Sequence, residues 1–316
     1  MDKFNKVVVI GAGTMGSGIA AHLANSNRQV VLLDLKSKDK PNQISENAID
    51  IIKKSDPPLL VERSRLEHIK PGNLEDDFDE IKDADWVIEA VVERIDIKHK
   101  LYSQIDKVRS PNSIISSNTS TIPLSILTQE MSDTMKADFC ITHFFNPVRF
   151  MRLLEIVETP TMNKNKMSGL RDFCQNELGK GIVNCNDTPG FIGNRIGVYA
   201  MQVAMYEALE RDLPVEIADA LFGRPLGIPK TGVFGLYDLI GIDLMKDVLA
   251  SFKKELQEND PFMDVVAPHP LVEKLLEKGF NGNKGPGGFY QTTIADDDEI
   301  VKAMNTSDMS YYDFDK

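Results

Sequence analysis

The chain has 316 residues, of which 42% are hydrophobic and 27% are charged, and its formal net charge is -12. This composition is ordinary for a globular protein, and the length predicts two domains rather than a single hydrophobic core. The acidic balance argues against a nucleic-acid-binding surface, which needs a basic stripe, and no apolar run approaches the ~20 residues of a membrane span.

The first predicted elements are a strand, a glycine-rich turn and a helix. Residues 6–10 form a short β-branched run, typical of a strand buried on both faces. The turn Gly11-Ala12-Gly13-Thr14-Met15-Gly16 follows at once, and apolar residues then recur at helical spacing. A second strand, 29–33, ends in Asp34. This order predicts an α/β fold with a Rossmann-like sheet that binds a dinucleotide.

Each part of the turn has a physical role. Gly11 permits the tight turn, Gly13 lets the backbone approach a pyrophosphate, and Gly16 allows the helix to pack closely on the strand. The helix N-terminus adds N–H donors and the positive end of its dipole. Asp34 is placed to accept hydrogen bonds from a ribose diol and would repel a 2′-phosphate, which favours NAD over NADP. Lys36 and Lys38 lie nearby and leave NADP open. The predicted NAD contacts are Gly11, Ala12, Gly13, Thr14, Met15, Gly16 and Asp34.

Two further strands are followed by polar residues. Glu93 comes just after a buried strand at 86–92, and ligands of open α/β sheets bind at strand carboxyl ends. Glu93 is therefore a stronger site candidate than Glu89, with a solvent-facing acid at a helix start as the alternative. The next strand, 113–117, is followed by Asn118-Thr119-Ser120, which can either cap a helix or contact a ligand.

His143 and Glu155 are candidates for a proton-transferring pair. His143 follows an apolar run, and Glu155 is embedded in the next apolar run. A buried carboxylate costs several kcal/mol unless it is paired, and these two residues can meet if their strands are neighbours. A dinucleotide implies hydride transfer, for which a histidine can take the hydroxyl proton while a carboxylate fixes its tautomer. A purely structural histidine is the alternative.

The chain changes character near residue 186. Asp187 or Thr188 is a candidate N-cap ahead of Pro189, and apolar residues then recur at helical spacing from Phe191 to Arg211. Asn194, near the start of that long helix, has a neutral amide that can donate to a substrate carbonyl, although a capping or surface role is equally open. The remainder of the chain is predicted to be helical, so the second domain is all-helical.

Five motifs together resemble L-3-hydroxyacyl-CoA dehydrogenases, from about residue 5 to 290. They are the glycine turn, Ser117-Asn-Thr-Ser120, His143-Phe-Phe-Asn-Pro147, Asp187-Thr-Pro-Gly-Phe191 with Asn194-Arg195, and Gly287-Gly-Phe-Tyr290. The resemblance implies an N-terminal Rossmann-like domain with extra strands and a helical domain that carries dimerisation. It also implies oxidation of a 3-hydroxyacyl-CoA to the 3-ketoacyl-CoA with NAD.

The resemblance implies roles for single residues as well. It makes His143 the general base and Glu155 its partner, while Ser120 and Asn194 donate hydrogen bonds to the 3-oxygen of the substrate. The further expected cofactor neighbours are Glu93, Lys98, Ser120, Asn146 and Lys284. The expected domains are an NAD-binding domain at 1–186, a helical substrate and dimerisation domain at 187–290, and an acidic tail or linker at 291–316.

Three departures from the family pattern qualify this expectation. Phe234-Gly235-Leu236 stands where the family often has Phe-Glu-Leu, which removes a local contact. The region between Asp34 and Trp86 is shorter than in single-function members and is where they contact CoA, so the acyl chain length is open. The chain also continues past Tyr290, which favours the dehydrogenase part of a larger fatty-acid oxidation protein with a hydratase region after it.

Partners, compartment and alternative functions complete the expectations. The expected partners are an acyl-CoA substrate and either a second copy of the chain or a hydratase region, with no nucleic acid, membrane span or metal. Three cysteines without CxxC spacing and the lack of a predicted signal peptide favour a cytoplasmic protein. The alternatives are a dehydrogenase of a free hydroxy acid, as in gulonate-dehydrogenase-like relatives, and a non-catalytic NAD-binding protein.

Overall fold

The computed structural model describes residues 4–227, 230–295 and 298–314. The chain divides into two compact units, Met1–Ile192 and Gly193–Lys316. Each unit has a hydrophobic core of its own. No helix within the described ranges is long and apolar enough to cross a membrane.

The first unit alternates strands and helices. Its strands are β1 (Lys6–Ile10), β2 (Gln29–Asp34), β3 (Ile69–Asn73), β4 (Trp86–Glu89), β5 (Ile114–Ser117), β6 (Phe139–Phe144), β7 (Leu153–Glu158) and β8 (Gly181–Asn184). Its helices are α1 (Thr14–Asn25), α2 (Gln43–Lys54), α3 (Ile95–Val108), α4 (Leu124–Leu127), α5 (Asp133–Lys136) and α6 (Lys164–Asn176), with 3-10 turns at Arg63–His68 and Phe78–Ile81.

The eight strands form one sheet in the order β3-β2-β1-β4-β5-β6-β7-β8. Strands β1 to β6 run parallel, whereas β7 is antiparallel to β6 and β8 is parallel to β7. The Rossmann-like prediction is therefore confirmed. Valine and isoleucine dominate β1, and β4 and β6 are also mostly apolar, because both faces of these strands are covered by the helices and loops around the sheet.

The strand order reverses between β1 and β4, since β2 lies on one side of β1 and β4 on the other. Ligands of such sheets bind at the carboxyl ends of the strands beside this switch point. The glycine turn leaves β1 at this edge, and the ends of β4, β5 and β6 follow in order. The fold therefore brings the polar residues that follow these strands to one edge of the sheet.

The second unit is mainly helical. It contains α7 (Gly193–Glu210), α8 (Val215–Leu221), α9 (Phe234–Ile240), α10 (Ile242–Glu255) and α11 (Pro270–Glu277), with 3-10 turns at Arg224–Leu226 and Pro261–Asp264. Apolar side chains of these helices form one core around Phe234, Tyr237 and Phe289. The predicted helical domain is confirmed through α11.

The predicted acidic tail or linker is instead folded where it is described. Strands β9 (Tyr290–Ala295), β10 (Asp298–Met304) and β11 (Tyr311–Tyr312) form a three-stranded antiparallel sheet. Ala303 and Met304 are fully buried in the core of the second unit. This burial corrects the linker prediction, because a solvated linker would not place apolar side chains in a core. Asp296, Asp297 and residues 315–316 of that predicted tail lie outside the described residues.

Candidate functional site

The glycine turn has the shape that a dinucleotide requires. Gly11 adopts a φ of 104°, and a Cβ at this position would clash with the Ala90 carbonyl. A Cβ on Gly16 would clash with the Gly11 carbonyl, so the glycine is needed where α1 packs on the turn. Beside Gly13 there is open space, and no side chain caps the N-terminus of α1. The turn thus presents free room and helix N–H groups that fit a pyrophosphate.

Asp34 lies at the end of β2, beside this turn. The Ala12 N–H donates to Asp34 Oδ2 at 2.5 Å, and the Leu35 N–H donates to Oδ1 at 2.6 Å. The carboxylate is therefore held at the edge of the turn, where it fits a ribose diol. Lys36 forms an ion pair with Asp76 at 2.8 Å, so its charge is already partnered and gives no support to a 2′-phosphate.

His143 and Glu155 meet in the sheet. They are directly paired across the antiparallel β6 and β7 strands, and His143 Nδ1 lies 2.7 Å from Glu155 Oε2. Glu155 is fully buried, and His143 is 5% exposed. With Glu155 ionised, the Nδ1–H donates to the carboxylate, which leaves the Nε2 lone pair of the neutral ring as a proton acceptor. The pair therefore has the geometry of a general base with its orienting carboxylate.

Glu155 has further neighbours that the sequence reasoning missed. Its Oε1 accepts a hydrogen bond from the Ile192 N–H at 2.9 Å. Burial, followed by the charge of this carboxylate, raises the pKa of the Cys185 thiol to about 12. The thiol therefore stays protonated beside Glu155 instead of competing with His143 as a charged group. The side chains of Phe145 and Phe191 pack against the imidazole, with ring centroids 4.4 and 5.8 Å away.

The polar segment after β5 lies next to the end of β6. Asn118 Oδ1 accepts from the Phe144 N–H at 2.9 Å, which ties this segment to the residue after His143. Within the described part of the chain, the hydroxyl of Ser120 makes no hydrogen bond, whereas its N–H donates to Glu93 Oε1 at 3.1 Å. The Ser120 hydroxyl is thus available to a ligand.

Asp187, rather than the 118–120 segment, caps the helix α4 that follows β5. Its carboxylate accepts from the N–H groups of Leu124 and Ser125, at 2.5 and 2.8 Å, at the start of α4. The prediction that Asp187 caps the long helix is therefore wrong. Its proximity to α4 depends on the path of the chain between β8 and Ile192, which local sequence patterns do not report.

Glu93 and Lys98 belong to an ionic cluster in which Lys98 and Glu89 are buried and Glu93 is partly exposed. The Lys98 ammonium lies 3.0 Å from Glu93 Oε2 and 2.7 Å from Glu89 Oε1. Although burial alone would raise it, the charge of Lys98 and the hydrogen bonds from the 119–120 segment hold the pKa of Glu93 below its usual range. Glu93 remains partly exposed, with 35% of its side chain accessible, so it is a solvent-accessible acid that is also paired with Lys98. Glu89 was not predicted as a site residue. The sequence feature that could have identified it is an acid inside an apolar strand followed by a lysine in the next helix.

The remaining predicted residues occupy separate positions. Asn146 is exposed in the β6–β7 loop, and the buried ammonium of Lys180 donates to the Met151 carbonyl at 2.8 Å in the same loop. Asn194 lies in the first turn of α7. Lys284 is 3.5 Å from Asp243 within the second unit. The first unit thus brings together the glycine turn, Asp34, Glu93, Lys98, Ser120, His143 and Glu155.

The order of these groups along the sheet edge matches an extended ligand. Asp34 ends β2, the glycine turn follows β1, the Glu89 cluster ends β4, Ser120 follows β5 and His143 ends β6. Adjacent strands lie about 4.8 Å apart, so His143 is roughly 14 Å along the edge from the turn. A dinucleotide with its ribose at Asp34 and its pyrophosphate at the turn would extend its other half towards β4 and β5.

Comparison with known proteins gives consistent results over nearly the whole chain. Residues 6–188 match the 3-hydroxyacyl-CoA dehydrogenase NAD binding domain, and residues 190–292 match the C-terminal domain of the same family. A Rickettsia felis protein, provisionally named a fatty acid oxidation complex trifunctional enzyme, is 43% identical over 312 residues, covering 98% of this chain and 43% of that protein. The mitochondrial hydroxyacyl-coenzyme A dehydrogenase of Sus scrofa is 34% identical over 297 residues, covering 90% of each chain.

Solved structures agree with the sequence matches. The (S)-3-hydroxybutyryl-CoA dehydrogenase PaaH1 from Ralstonia eutropha has a TM-score of 0.72 and is 30% identical, covering 90% of this chain and 98% of that chain. The chain spans less than half the length of the Rickettsia felis relative. Because both family domains match in order, the chain belongs to the 3-hydroxyacyl-CoA dehydrogenase family.

Proposed function

We propose that this chain oxidises an L-3-hydroxyacyl-CoA to the 3-ketoacyl-CoA with NAD, and that His143 is the general base. The observation that supports this proposal is the buried hydrogen bond between His143 Nδ1 and Glu155 Oε2, at the sheet edge that carries the glycine turn. Family membership supplies the reaction class. The bound NAD would accept the hydride.

The proton moves through His143. Nε2 takes the hydroxyl proton of the substrate, and the Glu155 carboxylate stabilises the imidazolium that forms. Phe145 and Phe191 pack on the ring and exclude water from its surface, which strengthens the charge interaction with Glu155. Because the His143–Glu155 bond is already formed, the ring needs little reorganisation before it accepts the proton.

Two neutral donors complete the proposed site. The Ser120 hydroxyl would donate to the 3-oxygen of the substrate, and the Asn194 amide is proposed as a substrate donor from the second unit. Neither group competes with His143 for the proton, since both are un-ionised at neutral pH. A donor aimed at a developing oxyanion contributes about 3–4 kcal/mol in well-studied enzymes. The domain roles proposed with this site are NAD binding by residues 1–186 and substrate contact and dimerisation by residues 187–290.

An acyl-CoA also fits the surface beyond the dyad. A cleft of about 850 Å³ lies along α2 and the loop after it, and its lining includes Lys53, Lys54 and Arg63. The Arg149 guanidinium donates to the Pro58 and Leu60 carbonyls, which joins this loop to the β6–β7 loop after His143. These cations can pair with the phosphates of CoA, whereas a free hydroxy acid has no phosphate to bind there.

The relatives support a setting for this reaction. The Ralstonia eutropha enzyme is named for a short 3-hydroxyacyl-CoA, and the name of the Rickettsia felis protein places it in fatty-acid oxidation. We therefore propose that the chain acts in fatty-acid oxidation. The free cysteines further support a proposed location in the cytoplasm. The longer relative further supports a hydratase region in the same polypeptide, whereas the Sus scrofa relative is a shorter protein that this chain nearly covers.

Replacement of the base tests the proposal. We expect His143→Gln to lower kcat for NADH formation from 3-hydroxyacyl-CoAs by about 10³-fold or more, because the proton loses its acceptor. NAD affinity, measured by calorimetry, should stay unchanged. The matched control is His68→Gln, which alters a histidine that contacts Gln29 on the far side of the sheet from His143.

The substrate panel separates the alternatives. Short and long 3-hydroxyacyl-CoAs should be turned over, whereas the corresponding free 3-hydroxy acids should not. Near-normal turnover by His143→Gln would remove His143 as the base. Faster turnover of the free acids than of the thioesters would replace the acyl-CoA assignment with a free hydroxy acid.

A further inference from the structure

The buried cluster around Glu89 has contacts that the proposed reaction does not use directly. Glu89 is the last residue of β4, fully buried, and it pairs in register with Ile10 of β1 and Ser117 of β5. It therefore lies at the switch point, between the strand that leads to the glycine turn and the strand that leads to Ser120. A buried carboxylate at this position has a high desolvation cost, so its partners define its role.

The Glu89 carboxylate is fully surrounded by donors. The Lys98 ammonium donates to Oε1 and Oε2 at 2.7 and 2.9 Å, and the Ser117 hydroxyl donates to Oε2 at 2.6 Å. The Tyr102 hydroxyl donates to Oε2 at 2.5 Å, and the Val91 N–H donates to Oε1 at 2.8 Å. These bonds hold the carboxylate in one orientation, and they leave little room for a direct contact between Glu89 and a ligand.

Two routes lead from Glu89 to the segment that carries Ser120. In the first, Ser117 Oγ donates to Glu89 and accepts from the Thr119 N–H at 3.2 Å. In the second, Lys98 bridges Glu89 and Glu93, and Glu93 Oε1 accepts from the Thr119 hydroxyl and from the Ser120 N–H at 3.1 Å. Both routes thus end on the two residues whose backbone sets the direction of the Ser120 side chain.

The same segment is tied on its other side to the strand of the base. Asn118 Oδ1 accepts from the Phe144 N–H, one residue after His143, and the Asn118 N–H donates to the Glu89 carbonyl at 2.7 Å. The segment 118–120 is therefore held between β4 and β6. A change at Glu89 would loosen one of these attachments and leave the other in place.

We propose that Glu89 is a positioning residue: through Ser117 and through Lys98 and Glu93, it fixes the Ser120 segment so that the Ser120 hydroxyl points at the reacting oxygen beside His143. The proposal rests on the function proposed above for Ser120. It assigns to Glu89 no contact with substrate or cofactor. Its effect should therefore appear in kcat and pass through Ser120.

The first test is a double-mutant cycle with Glu89→Gln and Ser120→Ala. The amide keeps the size of the side chain but loses the charge that faces Lys98 and one acceptor oxygen. We expect Glu89→Gln alone to lower kcat by about 10- to 100-fold, because displacing a catalytic group such as the Ser120 hydroxyl by about 1 Å can lower the rate by up to about 100-fold. In the Ser120→Ala background the same change should lower kcat by less than about 3-fold, since coupled residues are non-additive. An equal fold-loss in both backgrounds would overturn the proposal, as would wild-type kcat in Ser120→Ala.

The matched control is Asp138→Asn at the opposite edge of the sheet. Asp138 is also buried, precedes β6, and forms ion pairs with Arg109 at 2.9 Å and Lys166 at 2.5 Å. Its loss should lower the melting temperature without lowering kcat per folded molecule. If Glu89→Gln does not fold, Ser117→Ala replaces it in the cycle, because this change removes the first route and no charge. The fold-loss in kcat is then compared between the wild-type and Ser120→Ala backgrounds, and an equal loss in both would again overturn the proposal.

A measurement without substrate separates this proposal from the proposed function. Hydrogen exchange of the wild-type chain should show protected N–H groups at Ser120 and Thr121, which both donate to Glu93. Glu89→Gln should accelerate their exchange by about 10-fold or more, because the segment loses one of its attachments and opens more easily. A tenfold change corresponds to about 1.4 kcal/mol in the free energy of local opening. Asp138→Asn should leave this exchange unchanged. Accelerated exchange in a chain that does not oxidise acyl-CoAs would retain the positioning role and refute the function. Unchanged exchange in an active Glu89→Gln chain would refute the positioning role alone.

Discussion

The two units use buried carboxylates in different ways. In the first unit, Glu155 and Glu89 face side chains that carry or exchange a proton, namely His143 and Lys98. In the second unit, Asp219 accepts from the Val233 and Phe234 N–H groups at 2.6 and 2.7 Å. It also accepts from the Tyr290 hydroxyl at 2.9 Å, and burial raises the pKa of this hydroxyl so that it stays a neutral donor. Asp238 likewise accepts from the Phe289 and Tyr290 N–H groups, at 3.0 and 2.7 Å.

The partners of a buried carboxylate indicate whether it orients a reactive group or stabilises the fold. A titratable or cationic partner lets a buried carboxylate orient a reactive group or a loop, whereas backbone N–H partners fix the path of the chain. Asp219 holds the start of α9, and Asp238 holds the segment that leads into β9. We therefore expect changes at Glu155 to act on rate and changes at Asp219 and Asp238 to act on stability.

The largest expected effect is at Glu155. Glu155→Gln should lower kcat by about 10²- to 10⁴-fold, because His143 loses the charge that stabilises its imidazolium and fixes its tautomer. Steady-state kinetics with a 3-hydroxyacyl-CoA measure this loss, and Glu158→Gln on the same strand is the control, since Glu158 contacts Lys164 and Arg171. If Glu155→Gln were as active as Glu158→Gln, the distinction between the units would fail.

The second effect concerns pH and Asp238. Burial, opposed by the backbone donors and assisted by the charge of the nearby Asp219, raises the pKa of Asp238 to about 7. Between about pH 4, where an unfolded aspartate ionises, and pH 7, the folded state alone keeps this proton. The contribution of Asp238 to stability is therefore present at low pH and lost as pH rises through about 7.

Chemical unfolding of wild type and Asp238→Asn at several pH values measures this contribution. The wild-type free energy of unfolding minus that of the variant should fall by roughly 1–4 kcal/mol between pH 4 and pH 7.5, since each pKa unit is worth about 1.4 kcal/mol. A difference that stays constant with pH would show that Asp238 ionises normally in the folded protein.

The smallest effect is expected at Asp219. Asp219→Asn should lower the free energy of unfolding by about 1–3 kcal/mol, because an amide cannot accept from all the donors that the carboxylate holds. The kcat per folded molecule should stay within about 2-fold of wild type. The exposed Asp247→Asn is the control for the loss of one charge. A kcat loss comparable to that of Glu155→Gln would place Asp219 in the reaction and erase the contrast.

Local sequence patterns were sufficient for much of the fold. Apolar runs predicted β1, β4 and β6, since a strand buried on both faces is mostly apolar. The glycine turn was readable because only glycine tolerates the φ of Gly11 and the close packing at Gly16. Strand β3 was missed because Ile-Lys-Pro-Gly-Asn lacks that apolar signal, and proline is tolerated there only at the sheet edge.

The end of the chain was missed for a related reason. The acidic residues of the predicted tail suggested a linker, yet β10 and β11 pair beside β9, and β10 buries Ala303 and Met304 in the second core. Residues 296–299 are all acidic and mask the apolar residues Ile300, Val301, Ala303 and Met304 that follow them, which do not alternate strictly with polar residues. The burial of Ala303 and Met304 depends on the helices that surround them.

The sequence alone identified candidate groups for the site: the glycine turn, Asp34, Ser120, His143 and Glu155 are all readable from residue type and position relative to predicted strands. Only the tertiary structure decided which groups meet. The pairing of β6 with β7 places His143 opposite Glu155, and the packing of α3 across the strand ends brings Lys98 to Glu89 and Glu93. These contacts depend on which strands pair and on how the helix packs against the strand ends, and local periodicity does not report either of these arrangements.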